Sequence, residues 1–172
     1  MYKRQGLARP VSGPFFPEGP AYDKSIQPYS YSPELAKKLL AEAGWRDTDN
    51  DGILERDGRK FKFTLIYPNA GEIYKRMLPV IKEEMAKAGI QMELLGLEWS
   101  VCVQRLEKKS YDMCALAWSG GLNPDPFQLW HSSQADVEGS SNHIRFRNAE
   151  ADRLIEQIRE TFDPAERQKL YH

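Results

Sequence analysis

The chain reads as an α/β protein, a small and mostly parallel sheet flanked by helices, and three observations predict it. Strand-like and helix-like stretches alternate in the order β-α-β-α-β between residues 61 and 118. The stretches between the strands are of helix length, as parallel pairing with right-handed crossovers requires. The composition, 41% hydrophobic and 28% charged over 172 residues, is that of about one ordinary globular domain with a real core.

The elements follow in order. Ser32-Pro33-Glu34 is a helix start, Leu35, Leu39, Leu40 and Ala43 form its apolar face, and Gly44 sits where a left-handed residue ends it. After a polar loop, Phe61, Phe63, Leu65 and Tyr67 alternate with Lys62, Thr64 and Ile66, which predicts a strand. Glu72 to Ala88 carries Ile73, Met77, Val80, Ile81 and Met85 at helical spacing and stops at Gly89; Pro79 is expected to kink or split it. Ile90 to Leu95 is a second strand, Ser100 to Lys108 a helix with Val101 and Leu106 inward, and Tyr111 to Trp118 a buried third strand. Ala149 to Phe162 is a helix with Leu154, Ile155, Ile158 and Phe162 on one side.

The ends read differently. Pro10, Pro14, Pro17, Pro20 and Pro28, with Gly6, Gly13 and Gly19, make residues 1–30 an extended arm rather than a packed element. Asp163-Pro164-Ala165-Glu166 is a strong helix start, yet the sequence runs only to His172. We therefore expect three parts: an arm over 1–30, an α/β lobe over 31–162 and the start of a truncated helix over 163–172, together a piece of a longer protein.

Composition also excludes. A net charge of −1 without a basic stripe argues against a nucleic-acid surface. No segment approaches the roughly 20 apolar residues of a membrane span, and no charged-then-apolar leader opens the chain. Cys102 and Cys114 are too few and too far apart for a disulfide scaffold or a zinc site; free thiols or one bond between them are both open.

The segment from Ala117 to Ser132, A-W-S-G-G-L-N-P-D-P-F-Q-L-W-H-S, breaks out of the third strand into a loop that regular structure would not choose. Its glycines allow close backbone approach, and its aromatics supply flat surface at low entropy cost, as at the carboxyl edge of α/β sheets. A tight turn over the core is the alternative. Trp99 and Trp118 end parallel strands, so both fall at one sheet edge, either as core aromatics or facing a ligand.

Catalysis has no foothold. His131, His143 and His172 sit in no metal-binding pattern, and Ser119 lacks a nucleophile elbow. The cysteines have no evident histidine partner, and Asp112 and Asp125 near turns read as solvated or capping groups. Asp47-Thr48-Asp49-Asn50-Asp51-Gly52-Ile53 resembles the start of a calcium loop, but Gly58 stands where a bidentate Glu should close the shell. An Asx-rich turn between helix and strand is the preferred reading, and neither a metal nor a cofactor is expected.

Taken together, P-Y-S-Y-S-P-E-L-A-K-K-L-L-A-E-A-G-W, D-T-D-N-D-G-I, K-A-G-I-Q-M-E-L, L-E-W, Y-D-M-C-A-L-A-W, the N-P-D-P loop and R-N-A-E-A-D-R-L-I resemble, in this order, the bacterial extracellular solute-binding proteins of family 5. That group includes the dipeptide, oligopeptide and nickel binders of ABC importers. The resemblance implies one ligand-gripping lobe of a two-lobed periplasmic-binding-protein-like fold, with its sister lobe outside this chain and residues 1–30 as an inter-lobe segment. It implies an ABC permease as partner, a periplasmic or extracellular location with or without a lipid anchor, and no enzymatic activity.

It also implies a site: Trp99 and Trp118 line the pocket, with Ser119, Gly120 and Gly121 offering bare amides and Asp125 nearby. Peptide binders of the family carry an Asp three residues after the second tryptophan, where it pairs with the ligand's amino terminus; this chain has Gly121. Leu106 and Ala115, basic in some oligopeptide binders, are uncharged. An unpaired buried ammonium costs several kcal/mol, so an oligosaccharide or a capped peptide fits this wall at least as well as a free peptide. Two readings from other classes stand beside these: a calcium-stabilised interaction module, and the non-catalytic part of an enzyme.

Overall fold

The computed structural model describes residues 10–118 and 124–172, which divide into two compact units. The described residues of the first unit are Ser30–Leu106 and Ser110–Ala117; those of the second are 10–29, Glu107–Lys109 and 124–172, together with Trp118.

The first unit contains α1 (Pro33–Glu42), a hairpin of β1 (Glu55–Arg56) and β2 (Arg59–Lys60), then β3 (Lys62–Pro68), α2 (Glu72–Lys87), β4 (Gln91–Leu97), α3 (Trp99–Glu107) and β5 (Met113–Cys114). β3 is the central strand and pairs in parallel with β4 on one side and β5 on the other. The predicted β-α-β-α-β order is therefore present, and the chain is mixed α/β with a small parallel sheet. The third strand is far shorter than the eight residues from 111 to 118, because only Met113 and Cys114 reach ladder register with Leu65 and Ile66.

Burial explains the core. Leu65, Leu78 and Met92 form its centre, with Phe63, Tyr67, Tyr74, Ile81, Leu94 and Ala115 packed around them. Ile66 is as buried as its neighbour Leu65, so both faces of β3 are covered, as parallel strands demand, and simple alternation understates it. α2 runs unbroken through Pro79, which corrects the expected split. The ring lies on the exposed face, where water can satisfy the carbonyl that a proline leaves without a partner. Gly89 is required where α2 turns into β4: its φ is +81°, and a Cβ there would lie 2.6 Å from Leu54 Cγ.

Two helices depart from the expected inward faces. In α3 Leu106 is buried as expected, but Cys102 rather than Val101 accompanies it, and Val101 is exposed. α1 is capped as expected, with Ser32 Oγ accepting from the Leu35 N–H, but it buries none of its residues; Leu35 and Leu39 are about half exposed. Both thiols are free and Cys102 is buried, which pushes its pKa up.

The second unit holds α4 (Phe127–Trp130), a 3₁₀ turn (Ser132–Gln134), α5 (Ala149–Glu160) and α6 (Pro164–Tyr171). Asn148 and Asp163 cap α5 and α6 through their side-chain oxygens. Ile155 and Ile158 are buried, but Phe162 lies beyond the end of α5 and is 93% exposed, which corrects its assignment to the apolar side. Residues 10–29 form no helix or strand, yet they pack: Ala21 is buried and Phe15 meets Tyr171 edge-on at 5.2 Å. No helix among the described residues is long and apolar enough to cross a membrane.

Candidate solute-binding surface

Trp99 opens α3 directly after Glu98, whose carboxylate accepts from Asn69 Nδ2 at 3.1 Å and ties the end of β4 to the end of β3. That tie fixes the backbone from which the indole projects. Trp99 is 59% exposed, so it is not a core residue of its unit.

Trp118 belongs to the second unit and is 61% exposed. Its ring stacks on the His143 imidazole at 5.9 Å and 18°. Burial holds His143 below the ordinary histidine range, with the Lys109 charge acting the same way and Glu107 against it. No sequence pattern marks this partner: His143 lies in a loop 25 residues further along the chain, and stacking needs no spacing rule.

Ser119, Gly120 and Gly121 lie outside the described residues. Asp125 is described, and it is engaged. Its Oδ1 accepts from the Phe127 N–H at 3.1 Å, at the start of α4, and its Oδ2 lies 3.4 Å from Arg159. The Arg159 guanidinium sits 4.4 Å over the Phe127 ring, which stacks in turn on His131 at 4.4 Å. A carboxylate already balanced in this way offers a ligand ammonium less than a free one would.

Within the second unit, the loop from His131 to Asn148 is organised by buried and half-buried polar side chains. Asn142 is fully buried; its Nδ2 donates to the carbonyls of His131 and Phe146, and its Oδ1 accepts from the Phe146 N–H at 2.8 Å. Ser132 N–H donates to Asp152, and Ser132 Oγ accepts from the Asn148 N–H. Irregular backbone gains from side chains the partners that a ladder would have supplied.

Two other features have the outline of a site. An apolar groove of about 490 Å³ lies between the start of α1 and α2, lined by Tyr31, Ala36, Met77, Val80 and Ile81 among others. Of its polar groups, Tyr31 donates to Glu84, and Ser32 is occupied capping α1. It lacks the convergent polar groups that orient a solute.

The acidic turn is the second. Asp47, Asp49, Asp51 and Glu55 bring carboxylate oxygens within 4.8 Å of one another, so Glu55, not Gly58, turns back toward the loop. Lys60 lies against Asp51, 3.1 Å from Asp49 and 3.9 Å from Glu55. Its ammonium draws the Asp51 pKa down, and its own is pushed up by the same hydrogen bond. Asp47 and Asp51 also accept from the N–H groups of Gly52 and Ile53. The arrangement is an Asx turn neutralised by a lysine.

Comparison with known proteins places these surfaces in context. The family model described as bacterial extracellular solute-binding proteins, family 5 Middle, matches residues 2–140. The oligopeptide-binding protein AppA of Bacillus subtilis is 35% identical over 164 residues, covering 91% of this chain and 30% of that protein. A di/tripeptide-binding protein of Pseudomonas aeruginosa is 34% identical over 167 residues, covering 96% of the chain and 30% of that protein. The solved structure of the Bacillus subtilis AppA in complex with a nonapeptide superposes with a TM-score of 0.87 at 33% identity, over 97% of this chain and 34% of the other. The chain thus spans about a third of the length of the proteins it matches. Matched by the family's own model over most of its length and by a solved member over nearly all of it, the chain belongs to the bacterial extracellular solute-binding proteins of family 5.

Proposed function

We propose that this chain is one ligand-gripping lobe of an ABC importer's binding protein, which captures a peptide-like solute outside the cytoplasm and delivers it to a permease. The observation that carries the reading is the exposure of two large aromatics, the Trp99 indole in the first unit and the Trp118 indole in the second. Exposed tryptophans cost apolar surface in water and are spent where something covers them. The peptide-binding relatives support the solute class. Ser119, Gly120 and Gly121, which follow Trp118 in the sequence, join the reading on sequence grounds alone, and Asp125 is held by Arg159 and the Phe127 N–H rather than standing free for a ligand's charge.

Gly121 in place of a carboxylate, together with the paired state of Asp125, favours ligands without a free amine at this wall. The test is calorimetric titration of the full-length protein with pentaalanine, N-acetylated pentaalanine and cellopentaose. Acetylation should not weaken binding, whereas a lobe that pairs the amine loses the acetylated form. Binding of the sugar alone would replace the peptide reading by the oligosaccharide one. Turnover of any of the three would overturn the assignment of a non-catalytic carrier.

A further inference from the structure

An exposed indole normally samples several rotamers, and ordering it when a ligand arrives costs affinity. Trp118 is exposed, yet one of its faces is already taken by the His143 ring, near-parallel at 18°. That imidazole is itself pinned. It follows the fully buried Asn142, whose side chain closes the turn to Phe146 with two hydrogen bonds and ties it to the His131 carbonyl with a third, and the His143 N–H donates to the Ser141 carbonyl at 2.9 Å. The geometry points to His143 as a positioning residue: it backs the Trp118 indole so that the opposite face stands ready for a flat or apolar part of the solute.

This inference rests on the reading that Trp118 meets ligand. It needs no contact between His143 and the solute. Burial of His143 favours its neutral form, with Lys109 and Glu107 the charged groups that act on it, and the stack with Trp118 rests on the ring geometry in either form. Pre-ordering of a side chain by a supporting ring is how a site gains affinity without new contacts.

Two measurements test it. In the chain with Trp45, Trp99 and Trp130 replaced by Phe, time-resolved anisotropy should find the Trp118 indole immobile. His143→Ala should set it moving, and His143→Phe should hold it still again. Protonating His143 should quench the indole, with a midpoint below the ordinary histidine value. An indole equally immobile in His143→Ala overturns the inference whatever Trp118 does.

In the full-length protein, affinity is measured for the tightest of pentaalanine, its acetylated form and cellopentaose. His143→Ala should weaken it about fivefold and His143→Phe about twofold or less, the scale of one ordered side chain. If Trp118→Ala weakens binding and His143→Ala does not, the inference alone fails. If Trp118→Ala leaves affinity unchanged, or none of the three probes binds, the parent reading fails and takes the inference with it.

Discussion

The two units solve the same problem, burying backbone, by opposite means. In the first, β3, β4 and β5 satisfy one another's N–H and C=O groups, so the side chains at its centre, Leu65, Leu78 and Met92, are wholly apolar. In the second, the backbone from His131 to Asn148 forms no ladder, and buried or half-buried polar side chains do that work: Asn142, Ser140, Ser132 and Asp152. The difference teaches where each unit is vulnerable. The first loses stability by volume, the second by a single missing hydrogen-bond partner.

Substitution at the two centres separates these cases. Leu78→Ala should cost about 2 to 5 kcal/mol in denaturant unfolding, the range for emptying a well-packed site. Asn142→Ala should cost about 1 to 3 kcal/mol, because it strands the His131 and Phe146 backbone groups in a dry turn. Asn142→Leu, similar in size but unable to bond, should do no better. If the leucine variant is as stable as the parent, the turn is held by packing and the contrast between the units collapses.

A smaller effect, on function rather than stability, is expected at Trp118. Trp118→Ala should lower solute affinity in the full-length protein by about 1 to 3 kcal/mol while moving the unfolding midpoint little, since the ring is mostly exposed. A large loss of stability with affinity intact would return Trp118 to the core.

The same contrast decides what could be read in advance. The parallel sheet, the alternation of strands and helices along the chain and α2 were legible because apolar periodicity reports ladders and amphipathic faces, and the first unit is built from both; which strand lies in the centre was not. The Asp57-Gly58 hairpin was missed although its turn residues are a standard signal; both adopt positive φ, and the strands they join are too short to show alternation. Trp118 was singled out by its loop, but the His143 stack, the Arg159 hold on Asp125 and the Asn142 turn were invisible. Each has at least one partner in an irregular segment, where no period constrains which side chain meets which.

His143 also gives the second unit a pH signature. Its burial depresses the folded pKa below the ordinary 6.5, while the unfolded chain takes up the proton near that value. As pH falls below about 6.5 the unfolded state therefore binds more protons, and stability declines until the folded imidazole is protonated too. His143→Phe should flatten that part of the stability profile. An unchanged slope would locate the titration elsewhere.

The smallest effect is expected at the acidic turn, where the first unit borrows the second unit's polar strategy but leaves it in water. Lys60 already pairs with both Asp49 and Asp51, and all three side chains are exposed, so solvent and salt screen what the pairs contribute. Lys60→Gln should leave the unfolding midpoint nearly unmoved and shrink further in effect as salt is raised. Calcium has to displace that ammonium and finds Gly58 where a closing Glu would complete its shell, so calorimetry should detect no binding tighter than about 10⁻⁴ M. A micromolar site in the parent chain would show that Glu55 completes a real cation cage and that the loop belongs with the ligand-binding features. A site that appears only in Lys60→Gln would instead show the lysine standing in for the metal, the turn remaining structural in the parent.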